Sequence, residues 1–117
     1  MQKMRALTAS SGRQLNGFFI SEPAIRQMSK QHNEGKPLLN QQGQVCGYLN
    51  QTELIRDQET GALELWGYFT CTSEEADFSK NRFCSYEISY KHEDMDKDKI
   101  LHAAALSSCV MVDDLER

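Results

Sequence analysis

Phe83-Cys-Ser-Tyr-Glu-Ile-Ser-Tyr90 has the clearest period in the chain. Successive side chains of an extended strand point to opposite faces, so Cys84, Tyr86, Ile88 and Tyr90 form one row and Phe83, Ser85, Glu87 and Ser89 the other. The first row is made for a core. The second, with serines flanking a carboxylate, is either a solvated sheet face or a place where a hydroxyl is put to use.

Moving outward, His92 to Asp98 reads as a charged hairpin tip and Ile100 to Ser107 as the returning strand, with Cys109 to Val112 a final short strand. Asp94-x-Asp96-x-Asp98 has the spacing of a calcium loop. Lys99 stands where that loop needs glycine and Ala105 where it needs glutamate, so a solvated turn is expected instead. Upstream, Thr72-Ser-Glu-Glu75 is a capping box for a short helix through about Lys80. Ala62 to Thr72 alternates Leu63, Leu65, Phe69 and Cys71 against Glu64, Trp66, Tyr68 and Thr70, and pairs through a turn at Asp57 to Gly61 with a strand from Val45 to Arg56. Gly47 within that strand marks a bulge or a close approach.

Near the start, Gln2 to Thr8 reads as a strand, and Asn16-Gly17 is a strong turn signal before the short buried run Phe18-Phe19-Ile20. Ser21 is a good N-cap with Glu22 and Pro23 in the first turn, and Ala24, Ile25, Met28 and His32 recur at helical spacing. That predicts a helix ending near Asn33 to Gly35, with His32 on or beside its packed face. The sum is a mixed α/β domain of the α+β kind, an antiparallel sheet or partly closed β-barrel with one longer and one short helix. At 117 residues it is expected to be a single domain.

The 39% hydrophobic and 26% charged content is globular. No apolar run approaches a membrane span and Met1 to Ser11 lacks the centre of a signal peptide, so an intracellular, soluble protein without a membrane partner is expected. A net charge of -4 argues against nucleic acid held by phosphate neutralisation. The first 36 residues hold six Lys/Arg against two Asp/Glu, and the remainder seven against fifteen, an asymmetry that favours a homo-oligomer or docking of the two halves. Cys46, Cys71, Cys84 and Cys109 make no C-x-x-C pair and sit in apolar runs, which suits buried reduced thiols better than zinc. No cofactor motif is present: phosphate-cradling glycine loop, H-E-x-x-H and nucleophile elbow are all missing from the sequence.

A serine becomes a nucleophile when a neighbouring base takes its proton and a third group orients that base, which makes Ser85, His32 and His102 the candidate constellation. The expected hairpin of Phe83 to Lys91 with Ile100 to Ser107 would bring His102 beside Ser85. Read as elements, a strand, an N-G turn, a helix, K-P-L-L, a G-Y strand, a long hairpin, a helix, S-x-E-I and a strand ending A-A-L-S resembles the bacteriophage head-maturation (prohead) proteases. The resemblance runs from about Ser11 to Leu115. It implies the β-barrel fold of herpesvirus assemblin, a capsid or scaffold protein as partner, and a place in the host cytoplasm or the virion. Arg82-Phe-Cys-Ser-Tyr-Glu-Ile88 is similar to the stretch around the family's nucleophile, which carries that role to Ser85, and Ile100-Leu-His-Ala-Ala-Ala-Leu-Ser107 carries the third triad role to His102.

One component departs from the family pattern. The loop before the G-Y strand reads Pro37-Leu-Leu-Asn-Gln-Gln42, with Asn40 or Gln41 where a catalytic histidine is expected, and an amide accepts no proton at neutral pH. Either His32 serves as base, with His102 orienting it, or the domain keeps a protease-like form without proteolysis. The second is expected, because the base is the part the match fails to supply. The rival from another class is a small protein-binding module, an inhibitor or accessory protein of phage or bacterial origin, using its acidic half against a basic partner.

Overall fold

A computed structural model of the chain describes residues 2–14, 16–72 and 83–112; the side chains of Gln2, Phe83, Cys84, Ser85 and Val112 are outside the described set. The short helix expected after Thr72 falls outside the described residues. The described chain is α+β. It runs β1 (Gln2–Ser10), β2 (Gly12–Arg13), β3 (Phe19–Ile20), α1 (Glu22–Lys30), β4 (Pro37–Leu39), β5 (Val45–Arg56), β6 (Leu63–Cys71), β7 (Phe83–Ser89), β8 (Ile100–Leu101) and β9 (Ala105–Val112), with a 3-10 turn at His92–Asp94 between β7 and β8.

Six strands make one sheet in the order β1-β6-β5-β4-β9-β7, and β2-β3-β8 make a small second one. Here the expected antiparallel sheet is corrected: β4 runs parallel to β9 and β3 parallel to β8, so both sheets are mixed. The expected returning strand is corrected too. Ile100–Leu101 pairs with Phe19–Ile20 in the small sheet, and the strand that returns along β7 is Ala105–Val112, which absorbs the separate short strand expected from Cys109.

The large sheet curls into a half-barrel whose edge strands β1 and β7 lie against one another. Four register shifts supply bends: at Leu7/Ala9 in β1, Leu38/Leu39 against β5, Leu49/Gln51 in β5 and Glu87/Ile88 in β7. An extra residue on one strand kinks it and strengthens the local twist. Gly47 sits beside the second shift, where a Cβ would run into the Thr70 carbonyl, so the close approach expected at this glycine is present.

The inner face carries the core. Leu63, Leu65, Phe69 and Cys71 of β6 are buried as the alternation requires, together with Leu38, Leu49, Leu106 and Cys109. Helix α1 closes over them with Ala24, Ile25 and Met28, all fully buried. Its start follows the sequence: the Ser21 hydroxyl accepts from Ala24 N (3.3 Å) and donates to Leu101 O (2.7 Å), tying the cap to β8. Its end comes at Lys30, earlier than expected, because buried Asn33 turns back and donates from Nδ2 to the Met28 carbonyl at 2.9 Å. On the outer face the Arg5 guanidinium lies 4.3 Å from the Trp66 ring centroid, a cation–π contact across β1 and β6. Among the described residues no helix is long and apolar enough to cross a membrane.

Candidate functional site

Ser85 sits in β7, at the edge of the large sheet, in register with Val110; its side chain is among those not described. Its neighbours Tyr86 and Ile88 pack on the core, and exposed Glu87 accepts from the Ser108 hydroxyl at 3.2 Å. Tyr86, Glu87, Ile88 and Ser89 thus alternate as the two-row reading expects, whereas Tyr90, placed on the core row, lies beyond the strand and is 41% exposed. The strand's pairing is with a different segment from the one expected, and this moves His102 off the hairpin.

His102 lies between β8 and β9, three residues ahead of Ala105, which faces Ser89. Ser85 and Ser89 are four strand positions apart, about 13 Å at the usual rise. The ring of His102 is exposed, and its Nε2 is 3.1 Å from Asp96 Oδ2. Asp96 is the partner that sequence reasoning missed. Its other oxygen, Oδ1, accepts from Asp98 N (2.9 Å) and Ile100 N (3.1 Å), while its own N–H donates to Ile100 O (3.0 Å). The backbone N–H of Ile100, then the His102 ring, hold the Asp96 carboxyl below the usual carboxylate range. The alternating aspartates were the available signal, since an Asx turn uses such a carboxylate to close its own backbone.

His32 is exposed and lies beyond the end of α1, which corrects its expected place on the packed face. The helical spacing that pointed to it runs past Lys30, where the backbone has already turned extended at Gln31. Asn33 beside it is buried, and its Oδ1 accepts from Lys36 Nζ at 3.1 Å. That ammonium also donates to the Leu106 carbonyl, so the loop after α1 is pinned to β9.

Asn40 is one of the two residues, with Gln41, that stand where the resemblance expects a histidine. It is 6% exposed, and its Oδ1 accepts from Gln42 N (3.0 Å) and Gln44 N (2.9 Å) while Nδ2 donates to Gln44 Oε1 (3.0 Å). The amide is committed at both ends to shaping residues 40–44.

Cys46, Cys71 and Cys109 are buried free thiols, as expected, and Cys84's side chain is outside the described set. Burial pushes the Cys109 thiol up to about 12, against a smaller opposing pull from the Lys36 ammonium, and raises Cys71 as well. Protonated thiols of this kind are poor nucleophiles. Cys46 Sγ instead packs 3.6 Å from Met111 Sδ. Among the described residues no group of three or more His, Cys, Asp or Glu is arranged to hold a metal ion.

What the described geometry can do chemically is therefore narrow. His102 with Asp96 is an oriented imidazole on the surface, able to move a proton, and Ser85 is a strand residue several positions away. No family model matches the chain, and neither does any curated protein or solved structure.

Proposed function

We propose that this chain is a phage capsid-assembly domain, assemblin-like in architecture and similar to a prohead maturation protease, that acts by binding capsid or scaffold protein without cutting it. The observation that carries the non-proteolytic part is Asn40. Its side chain closes the loop through three hydrogen bonds, a job a histidine base in that loop would leave undone. The curled half-barrel with one covering helix is compatible with an assemblin-like domain, and the exposed position of His32 beyond the helix favours a surface role for it over that of a base aimed at Ser85.

Labelling with a serine-directed fluorophosphonate tests this directly. We expect no covalent adduct on the full chain and no cleavage of a denatured protein substrate. An adduct that vanishes in Ser85→Ala would overturn the non-proteolytic reading and make Ser85 a nucleophile. The setting is tested separately by the gene's neighbours: a portal gene and a major capsid gene beside it are expected, and a neighbourhood without virion genes would turn the assignment toward a binding module of another kind.

A further inference from the structure

The turn between β2 and β3 carries Asn16-Gly17, where the chain's only asparagine followed by glycine stands. The base of this turn is firmly tied. Gln14 N donates to Phe18 O (2.7 Å) and Gly17 N to Gln14 O (3.0 Å). The Gln14 side chain donates to Ser10 O (3.0 Å) and Gly12 O (2.9 Å) and accepts from the Tyr86 hydroxyl (3.0 Å). Gly17 takes φ 90, in the left-handed region that glycine enters freely, and no atom lies within 4 Å of the place a Cβ would occupy. Asn16 is exposed, and its Oδ1 accepts from Phe18 N at 3.1 Å.

That last bond folds the Asn16 amide back over the chain that follows it, on the side of the Gly17 nitrogen. If this nitrogen attacks Cγ, negative charge develops on Oδ1, where the Phe18 N–H already points. Glycine leaves the approach to Cγ open. What holds the reaction back is the Gly17 N–H bond to Gln14 O, one turn bond that has to open first. The other described asparagines lack this setting. Asn33 and Asn40 are buried, Asn50 is tied through Nδ2 to Thr70 Oγ1 (2.8 Å), and each precedes a residue with a long side chain: Glu34, Gln41 and Gln51.

The structure assigns Asn16 as a site of spontaneous deamidation, a one-way covalent change in the β2–β3 turn. Gly17 N gives its proton to hydroxide and forms a bond to Asn16 Cγ. The Cγ–Nδ2 bond breaks, and ammonia leaves with a proton from water. Water then opens the cyclic imide at either carbonyl, giving aspartate or isoaspartate, so one water is consumed and one ammonia released. Both products add a negative charge beside Arg13, whose Nη1 donates to Gly17 O at 3.0 Å. Isoaspartate also lengthens the backbone inside the loop that the Gln14–Phe18 pair closes, which loosens the edge-on contact of Phe18 with Tyr90.

Incubation of the full chain at mildly alkaline pH and physiological temperature, followed by peptide mapping with mass spectrometry, tests this. Conversion should appear first at Asn16, as two chromatographically separate peptides of equal mass, at a rate within about tenfold of that in the urea-unfolded chain. Gly17→Ala should slow conversion by about tenfold or more, and reading it in urea as well makes the result independent of how that variant folds. An Asn16 left intact in the folded protein while the unfolded chain converts fully would overturn the assignment. So would equal conversion at Asn33, Asn40 or Asn50, or an unchanged rate in Gly17→Ala.

Discussion

Two loops far apart in the chain, residues 40–44 and 96–100, are built on the same frame and put to different ends. In each, the first residue donates its N–H to the carbonyl four positions on, and its own carbonyl accepts from the N–H three positions on. In each, the side-chain Oδ1 of that first residue accepts from the N–H groups two and four positions on. The fourth residue is left-handed in both: Gly43 at φ 82 and Lys99 at φ 62. What differs is the second atom of the leading side chain. Asn40 spends its amide nitrogen on Gln44 within its own loop and is buried, whereas Asp96 turns its remaining oxygen outward to His102. One exchange of amide for carboxylate turns a closed structural corner into a surface group that can orient an imidazole. The loop in which a protease resemblance expects a histidine, at Asn40 or Gln41, is thus the inert copy, and the imidazole with a carboxylate partner is on the other.

The largest effect should come from the buried copy. Asn40→Ala strips the acceptor from two backbone N–H groups and breaks the amide bond to Gln44, and about 2 kcal/mol of stability should go with it. Urea unfolding followed by tryptophan fluorescence measures this through Trp66. A loss under about 0.5 kcal/mol would mean that the loop holds its shape without the side chain, and the contrast between the two corners would lose its basis.

Acid should separate the corners next. The Asp96 carboxyl is depressed below its ordinary value of 3.8, chiefly by the Ile100 N–H and then by His102. A folded value below the unfolded one gives stability that is present above the unfolded value and is lost as pH falls through the folded one. The destabilisation caused by Asp96→Ala should therefore shrink as the pH is lowered below about 4. That caused by Asn40→Ala should stay constant across the same range, since the amide does not titrate there. Parallel pH profiles for the two variants would show that the Asp96 carboxylate adds nothing beyond loop shape.

Sequence pattern reached the local features of both regions and stopped at the long-range ones. Ser21 as cap, the whole of Val45–Arg56 and the inward set Leu63, Leu65 and Phe69 followed from periodicity and turn chemistry, because each is settled by residues a few positions apart. The parallel pairings of β4 with β9 and β3 with β8 join segments roughly seventy to eighty residues apart, and nothing local in either partner encodes the match. For the same reason Ile100 to Ser107 read as one strand: its first two residues are taken by Phe19–Ile20 and its last belong to β9, with His102 in the break. The Asp96 pairing with His102 was legible only as alternating acidic residues, since the turn that brings them together is made by Oδ1, whose role depends on the backbone it closes. His32 fell outside α1 for a local reason that periodicity does not register, the return of the Asn33 side chain to the Met28 carbonyl five residues back.

The smallest effect tests the shared frame itself. A left-handed backbone costs an L-residue about 1–2 kcal/mol, and glycine escapes that cost at the expense of a freer unfolded chain. Lys99 occupies such a position, whereas the equivalent residue of the buried corner is already glycine. Lys99→Gly should therefore stabilise the protein by about 0.5 kcal/mol, and Gly43→Ala, at φ 82 with no atom within 4 Å of the added Cβ, should destabilise it by about 1 kcal/mol through backbone strain alone. Opposite signs in the two substitutions, read from unfolding midpoints at constant m, are what a common frame requires. A Lys99→Gly variant less stable than the parent would mean that the Lys99 side chain makes up for the strain by a contact the buried corner lacks, and the two loops would then resemble each other in hydrogen bonding but not in energetics.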